Sequence, residues 1–464
     1  MSLAAQAQRA LVNLWSAPGL RERVLFTLAI LALLRFGVHV PIAGVDHAAL
    51  AGKFGAGNLL AGFLDLFSGG ALAKFSVLAL GITPYINASI IFQLMTSVFP
   101  KLEELQKEGG EQGRKQIQQW TRYLTLVLAF VQAYSISSWL WKSNLVPGHP
   151  ASGALPLGFF VGTSLVLVSG TMFVMWLGEL ITVRGIGNGA SLIIMAGILS
   201  RFPQYIETTR QGLDSGAFNV WQVAMLLGSF LVILMAIVVV QEGARRVPVR
   251  QTKRQANLAR FQSRSSYLPF KVNQGGVMPI IFASSLLLLP VTLSQLIGGQ
   301  ADAATRKVNW AFNQMAAWNW VNIQAVLQKG LGLLLAWLSP SGWLYPVLYF
   351  LLIIFFSYFY ASIVLNPEDL AKNLQKFGNV IPDVRPGKPT AEYLEGVLSR
   401  ITFIGAMFLG AVAIIPNFIE TATGVNTFQG LGSTALLIMV GVAVDLYNQL
   451  QTQVLARQYD GFMK

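Results

Sequence analysis

Residues 220–254 read VWQVAMLLGSFLVILMAIVVVQEGARRVPVRQTKR. No charged residue occurs from Val220 to Gln241, and a run of about 20 mostly apolar residues is what a helix needs to cross the hydrocarbon of a bilayer. Directly behind it come Arg245, Arg246, Arg250, Lys253 and Arg254 against a single acid, Glu242. An apolar span followed by dense cations fixes the class of the protein and the side of the membrane on which those cations lie, because Lys and Arg collect at the cytoplasmic ends of spans.

The rest of the chain repeats the pattern. Hydrophobic residues make up 54% of the 464 and charged ones 11%, with a mean hydropathy of +0.56, outside the range of soluble domains. Apolar stretches fall at about 24–41, 74–97, 120–140, 157–181, 188–206, 220–241, 276–297, 342–365, 397–419 and 430–450. The expected fold class is all-α, a polytopic membrane protein with ten transmembrane helices. Threaded in order, they place 22 of the 33 Lys and Arg on one side: three before the first span, four in 98–119, one in 182–187, eight in 242–275, four in 366–396 and two after 451. The opposite loops hold seven. Both termini, including the tail 451–464, are therefore expected in the cytoplasm. Span 1 follows Arg9, Arg21 and Arg23 without a small-residue cleavage site, so it is expected to be retained.

Chemistry at depth is sparse. There is no cysteine, and the three histidines, His39, His47 and His149, fall on non-cytoplasmic loops or a span end, so no metal site, cofactor or redox pair is expected. Arg35 and Glu179 lie near span ends, where they are expected to snorkel. That leaves Asp445 as the one serious intramembrane acid. A secondary transporter coupled through Asp445 is the alternative reading, but it leaves the eight-cation loop unexplained. No catalytic constellation is present, and the chain is not expected to be an enzyme.

Two cytoplasmic loops stand out. The stretch 242–275 holds eight cations, which suits phosphate backbone, an acidic protein or anionic lipid headgroups. The loop 366–396 contains PDVRPGKP at 382–389, whose prolines present Arg385 at a stiff tip. It is no phosphate loop, because Pro382 and Pro389 stand where that motif needs Gly and Ser or Thr. The turn RGIGNG at 184–189 lacks a preceding strand and reads as a tight reversal with Asn188 capping the next helix.

Spans 1–5 and 6–10 make halves of similar size with an odd number of crossings each, so the second half must sit inverted relative to the first, with a pathway at their interface. Several spans are irregular: Gly69-Gly70 precedes span 2, Pro84 lies inside it, Gly275-Gly276 and Pro279 enter span 7, and Gly430 and Gly432 enter span 10. Irregular helices at depth line cavities. The stretch LLAGFLDLFS at 59–68 is too short to cross and reads as a re-entrant helix.

LFSGGAL at 66–72 followed by ALGITPYINASI at 79–90 resembles the SecY family of protein-translocation channels. RFG at 35–37, PIAGVD at 41–46, WLGE at 176–179, RGIGNG at 184–189, LP at 268–269, KVN at 271–273 and VRPG at 384–387 extend the resemblance from about residue 20 to 455. It implies a clamshell of two inverted five-helix halves, residues 1–206 and 220–450, hinged at 207–219 around a central pore. The pore would close on a ring of Ile82, Ile86, Ile194, Ile281 and Ile438, with Ala190 standing where relatives often carry a larger aliphatic. A plug near 58–71 would include Leu64, Asp65, Leu66, Phe67 and Ser68. A lateral gate would open between spans 2 and 7, with Gln93 and Asn273 as polar latches. Arg246, Lys253, Arg254 and Arg385 would contact the SecA ATPase motor or the ribosome, although Leu258-Ala259 stands where many relatives have a second basic pair. The implied partners are SecE-type and SecG-type small subunits and secretory or membrane precursor polypeptides. The implied location is a bacterial plasma membrane or a thylakoid membrane.

The external segment 298–342 is longer than expected of many relatives. Its tryptophans Trp310, Trp318, Trp320 and Trp337 suit an interfacial helix.

Overall fold

The computed structural model describes residues 18–47, 49–50, 65, 68–107, 109–147, 157–251, 266–296, 344–423 and 432–462. Leu64, Leu66, Phe67, Lys253, Arg254 and the segment 298–342 lie outside the described residues.

The first group of helices is α1 (Pro18–Gly37), α2 (Thr83–Val98), α3 (Pro100–Lys107), α4 (Gly110–Lys142), α5 (Leu157–Arg184), α6 (Gly189–Leu199) and α7 (Phe202–Asp214). The second is α8 (Val220–Glu242), α9 (Met278–Leu296), α10 (Leu344–Val364), α11 (Pro367–Lys376), α12 (Lys388–Thr423) and α13 (Gly432–Phe462). Among the described residues, α4, α5, α8, α10 and α12 are long and apolar enough to cross a membrane by length and composition.

Local chemistry sets the helix starts. Asn188 Oδ1 accepts from the Ala190 and Ser191 N–H groups at 3.0 and 3.4 Å, the expected cap for α6. Gln222 Oε1 accepts from the Asn219 N–H at 2.8 Å to open α8. Two expectations change. The stretch 74–97 is helical only from Thr83, so Pro84 lies in the first turn of α2 rather than inside the span, where its missing N–H costs nothing. The stretch 188–206 breaks after Leu199, and a second helix restarts with Pro203 in its first turn.

The fold is also not purely helical. β1 (Ala244–Gln251) pairs antiparallel with β2 (Ser266–Lys271) and with β3 (Asn379–Val380), giving the order β2-β1-β3. Val247 and Val249 alternate inward, joining Phe270, Leu374, Ile381 and Leu394 in a small core of their own. Pro248 is tolerated because β3 reaches only Arg250 and Gln251, so nothing asks for its missing N–H. The two cationic loops are thus one packed unit.

Packing repeats between the two groups. In the first, α1 meets α5, α2 meets α4, α4 meets α5, and α5 meets α6; in the second, α8 meets α12, α9 meets α10, α10 meets α12, and α12 meets α13. The groups touch along two seams, α6 on α13 and α9 on both α2 and α4. A close approach fixes the α5–α6 corner: a Cβ on Gly189 would collide with the Gly178 carbonyl. Gly189→Ala is expected to lower stability by about 1–3 kcal/mol, read as an earlier thermal transition in detergent; an unchanged transition would show that the corner relaxes freely.

Candidate functional site

Ile82 sits at the N-cap of α2 with Ile86 one turn on. Ile194 lies in α6, Ile281 in α9 and Ile438 in α13. Each is at most 5% exposed, and one apolar cluster contains all five, with Ala190 packed against it. Four helices from both groups thus contribute a buried isoleucine to one apolar cluster, and among the described residues both seams between the groups are in contact.

Beside this cluster, the segment at Asp65–Gly70 is pinned by cations. Asp65 Oδ2 pairs with Arg201 Nη2; the two side chains are 2% and 13% exposed. Asp65 Oδ1 accepts from the Ala73 N–H at 2.8 Å and from Ser68 Oγ at 3.2 Å. Arg35 Nη1 donates to the Gly69 carbonyl at 2.9 Å, so this guanidinium turns inward rather than snorkelling. Gly69 itself has φ +66°, and a Cβ there would run into Cα of Gly197 on α6. Both glycines of the pair take a positive φ, and Gly69 is required by contact as well. A cavity of about 320 Å³ lies next to it, lined by Arg35, Ser68, Gly69, Ile82, Gly197 and Ser200 among others.

In the sequence Arg201 shows only as one of the seven cations on the non-cytoplasmic side. The signal that could have found it is Asp65, an acid inside an apolar segment, which must acquire a partner when buried. Glu179 does not snorkel either. Arg122 grips it through Nε and Nη2 at 3.0 and 2.6 Å, and Gln118 Nε2 adds a contact at 3.2 Å, joining α4 to α5.

Gln93 and Asn273 are not joined to each other. Gln93 Nε2 donates to Ser89 Oγ at 3.3 Å within its own helix, and Asn273 Nδ2 donates to the Gly276 carbonyl at 2.8 Å. On the sheet unit, Arg246 and Arg250 share the outward face of β1, and Arg385 is exposed on the loop after β3. Sequence spacing showed two separate loops; the sheet brings their cations onto one body.

The family model for SecY matches residues 76–447. The chain belongs to the SecY family. It is 46% identical over 466 residues to the protein translocase subunit SecY of Synechococcus elongatus, covering 99% of this chain and 98% of that one. It is 44% identical to that of Synechocystis sp., with the same coverage, and 38% identical to that of Thermotoga maritima, covering 98% of each. Among solved structures, it is similar in fold to one described as the structure of a protein conducting channel, with a TM-score of 0.62 at 18% identity, covering 93% of this chain and 92% of that one. It is also similar to Sec61 in the canine ribosome–channel complex from the endoplasmic reticulum, with a TM-score of 0.59 at 17% identity and the same coverage. The SecY fold accounts for a mostly helical chain whose two groups of helices meet on an apolar centre.

Proposed function

We propose that this chain is the protein-conducting subunit of a translocon, moving unfolded secretory polypeptides across the membrane and releasing apolar segments sideways into the bilayer. The observation that carries this reading is the burial of Ile82, Ile86, Ile194, Ile281 and Ile438, drawn from both groups of helices, in one cluster beside the pinned Asp65–Gly70 segment. The pairwise packing that recurs between the groups supports ten spans in two inverted halves. In this reading α7 and the turn after it are the hinge, and the α2–α9 seam flanked by Gln93 and Asn273 is the lateral gate. The segment around 58–71 is the plug. Both termini face the cytoplasm of a bacterial cell or the corresponding side of a thylakoid.

The physics of sealing favours isoleucine. A bare ion entering a dry neck faces an idealised Born cost of order 20 kcal/mol, reduced by relaxation. A passing chain fills the neck instead, and isoleucine offers it no charge or hydrogen bond. Sorting at the gate follows from partition: each leucine gains about 0.5 kcal/mol in lipid, whereas a central Arg or Asp costs roughly 2.5–3.5 kcal/mol. The packed sheet unit carrying Arg246, Arg250 and Arg385, with Lys253 and Arg254 in the adjoining loop, is the docking face for a ribosome or a SecA-type motor. SecE-type and SecG-type subunits and anionic lipids complete the assembly. Driving force comes from a bound ribosome, an ATPase motor or the membrane potential.

The natural absence of cysteine makes the test clean. With Ile82→Cys in the channel and a secretory precursor carrying single cysteines arrested in mid-transit, a disulfide is expected that tracks the precursor's position as it advances. No disulfide, with the precursor targeted and the cysteine open to small thiol reagents, would put the polypeptide elsewhere.

A further inference from the structure

Asp445 is the charged residue that conduction leaves without a task. It follows Ile438 by seven residues on α13, two helical turns, so it occupies the same face about 10 Å further along the axis. The other helices of the ring reach the same level: Ser191 is one turn before Ile194 on α6, and Gly276 stands just ahead of α9, about one turn before Ile281. Asp445, Asn188, Ser191, Asn273, Gln274 and Tyr360 converge there on a cavity of about 210 Å³. It lies on the side toward which α13 runs from the ring, the cytoplasmic side in the reading above.

The cavity is chemically unfinished. Asp445 is half-buried; among the described residues the charges that act on it are Lys271, which lines the same cavity with an exposed side chain and makes no salt bridge to it, and Glu242, of its own sign. Glu242 already accepts from Asn448 Nδ2 at 3.1 Å. Gln274 Nε2 is buried without a hydrogen-bond partner. The Asn188 and Asn273 amides, by contrast, are engaged with their own backbone. A carboxylate drawn partly out of water without a hydrogen-bonded cation is costly, and the group that would complete it is an ammonium or guanidinium. Among the described residues no three His, Asp or Glu converge to hold a metal ion. The volume admits the head of a lysine or arginine with one or two waters, at about 30 Å³ per water.

We propose that Asp445 and its cavity receive a lysine or arginine of the polypeptide in transit. The basic flank of an apolar segment is thereby held on the cytoplasmic side, at the start of α9, the helix that forms the seam with α2. The inference rests on the conduction reading. The surrounding cytoplasmic face is strongly cationic and repels basic side chains at long range, so this carboxylate provides a local exception inside the funnel.

The test compares two matched precursors whose apolar segment is preceded by two lysines or by two glutamines, in membranes carrying the intact translocon. The native channel is expected to favour the lysine form about fivefold, the scale of one partly exposed ion pair. Asp445→Asn should bring the ratio close to one, Asp445→Glu should restore it, and Asp445→Lys should reverse it. A ratio unmoved by Asp445→Asn would overturn the proposal. Equal slowing of both precursors would mean a packing role, and a shared dependence on sodium or potassium would mean an inorganic ion; either overturns it as well. The Ile82→Cys disulfide in the same membranes separates failure of this site from failure of the channel reading, because only the latter abolishes it.

Discussion

Asp65→Ala is expected to give a channel that leaks ions at rest and to cost about 3–5 kcal/mol, the scale for removing one partner of a buried ion pair. The pair qualifies, with side chains 2% and 13% exposed. Without the carboxylate, the Arg201 guanidinium stays buried, its Nε already lacking a partner, close enough to Arg35 for the two charges to repel. The Ser68 hydroxyl and the Ala73 N–H lose their shared acceptor at the same time. Arg201→Ala should be milder, because Asp65 keeps those two donors. The double change Asp65→Leu with Arg201→Met should recover most of the stability, since no charge is left stranded, yet still leak, because the ion pair that holds Asp65 to the turn between α6 and α7 is gone. Denaturation in detergent and conductance in planar bilayers read the two effects separately. If the single and double variants lost equal stability, the cost would lie in packing rather than in the unpaired charge.

Ile281→Asn is expected to open a resting ion leak without abolishing polypeptide transport. An amide in the neck offers a hydrogen bond to entering water and lowers the dewetting barrier. If that barrier falls by about 3 kcal/mol, ion passage rises about a hundredfold. Destabilisation alone could also produce a leak, so the neighbouring residue is the control. Ile280 is fully buried in the same cluster and on the same helix, but it points about 100° away around the axis. Ile280→Asn should destabilise comparably, since each buries an unsatisfied amide at about 1–3 kcal/mol, while its conductance stays at the resting level. Equal leaks from both would mean that Ile281 is core and not neck. Ile281→Val, which keeps the surface aliphatic, should seal.

Much of this molecule is legible without coordinates. The membrane class follows from hydropathy, because every spanning helix must solve the same solvation problem within its own 20 or so residues. The Asn188 cap was equally local, a side chain bonding two backbone groups nearby. The helix break at Leu199 was written in Pro203, although the apolar run around it concealed the signal.

The sheet was harder to read. ARRVPVRQ at 244–251 does alternate, but its partners lie in β2, across the loop that follows it, and in β3, more than 120 residues on, and Pro248 argues against a strand until one sees that β3 is two residues long. Asp65 and Arg201 are 136 residues apart, and Glu179 and Arg122 are 57 apart. A lone acid in an apolar segment announces that it needs a partner, not which one.

The sequence by itself determined that the chain lives in a membrane and crosses it more than once, and, through its motifs, to which family it belongs. These are properties of single segments in contact with lipid or water. Tertiary structure alone decided that five isoleucines from four helices are buried in one apolar cluster, that Arg201 reaches Asp65, that strands from two loops pair in one sheet, and that Asp445 is left facing a cavity. Each of those depends on side chains from distant segments arriving at one place, where burial removes water as the default partner and forces every polar group either to find another or to go without.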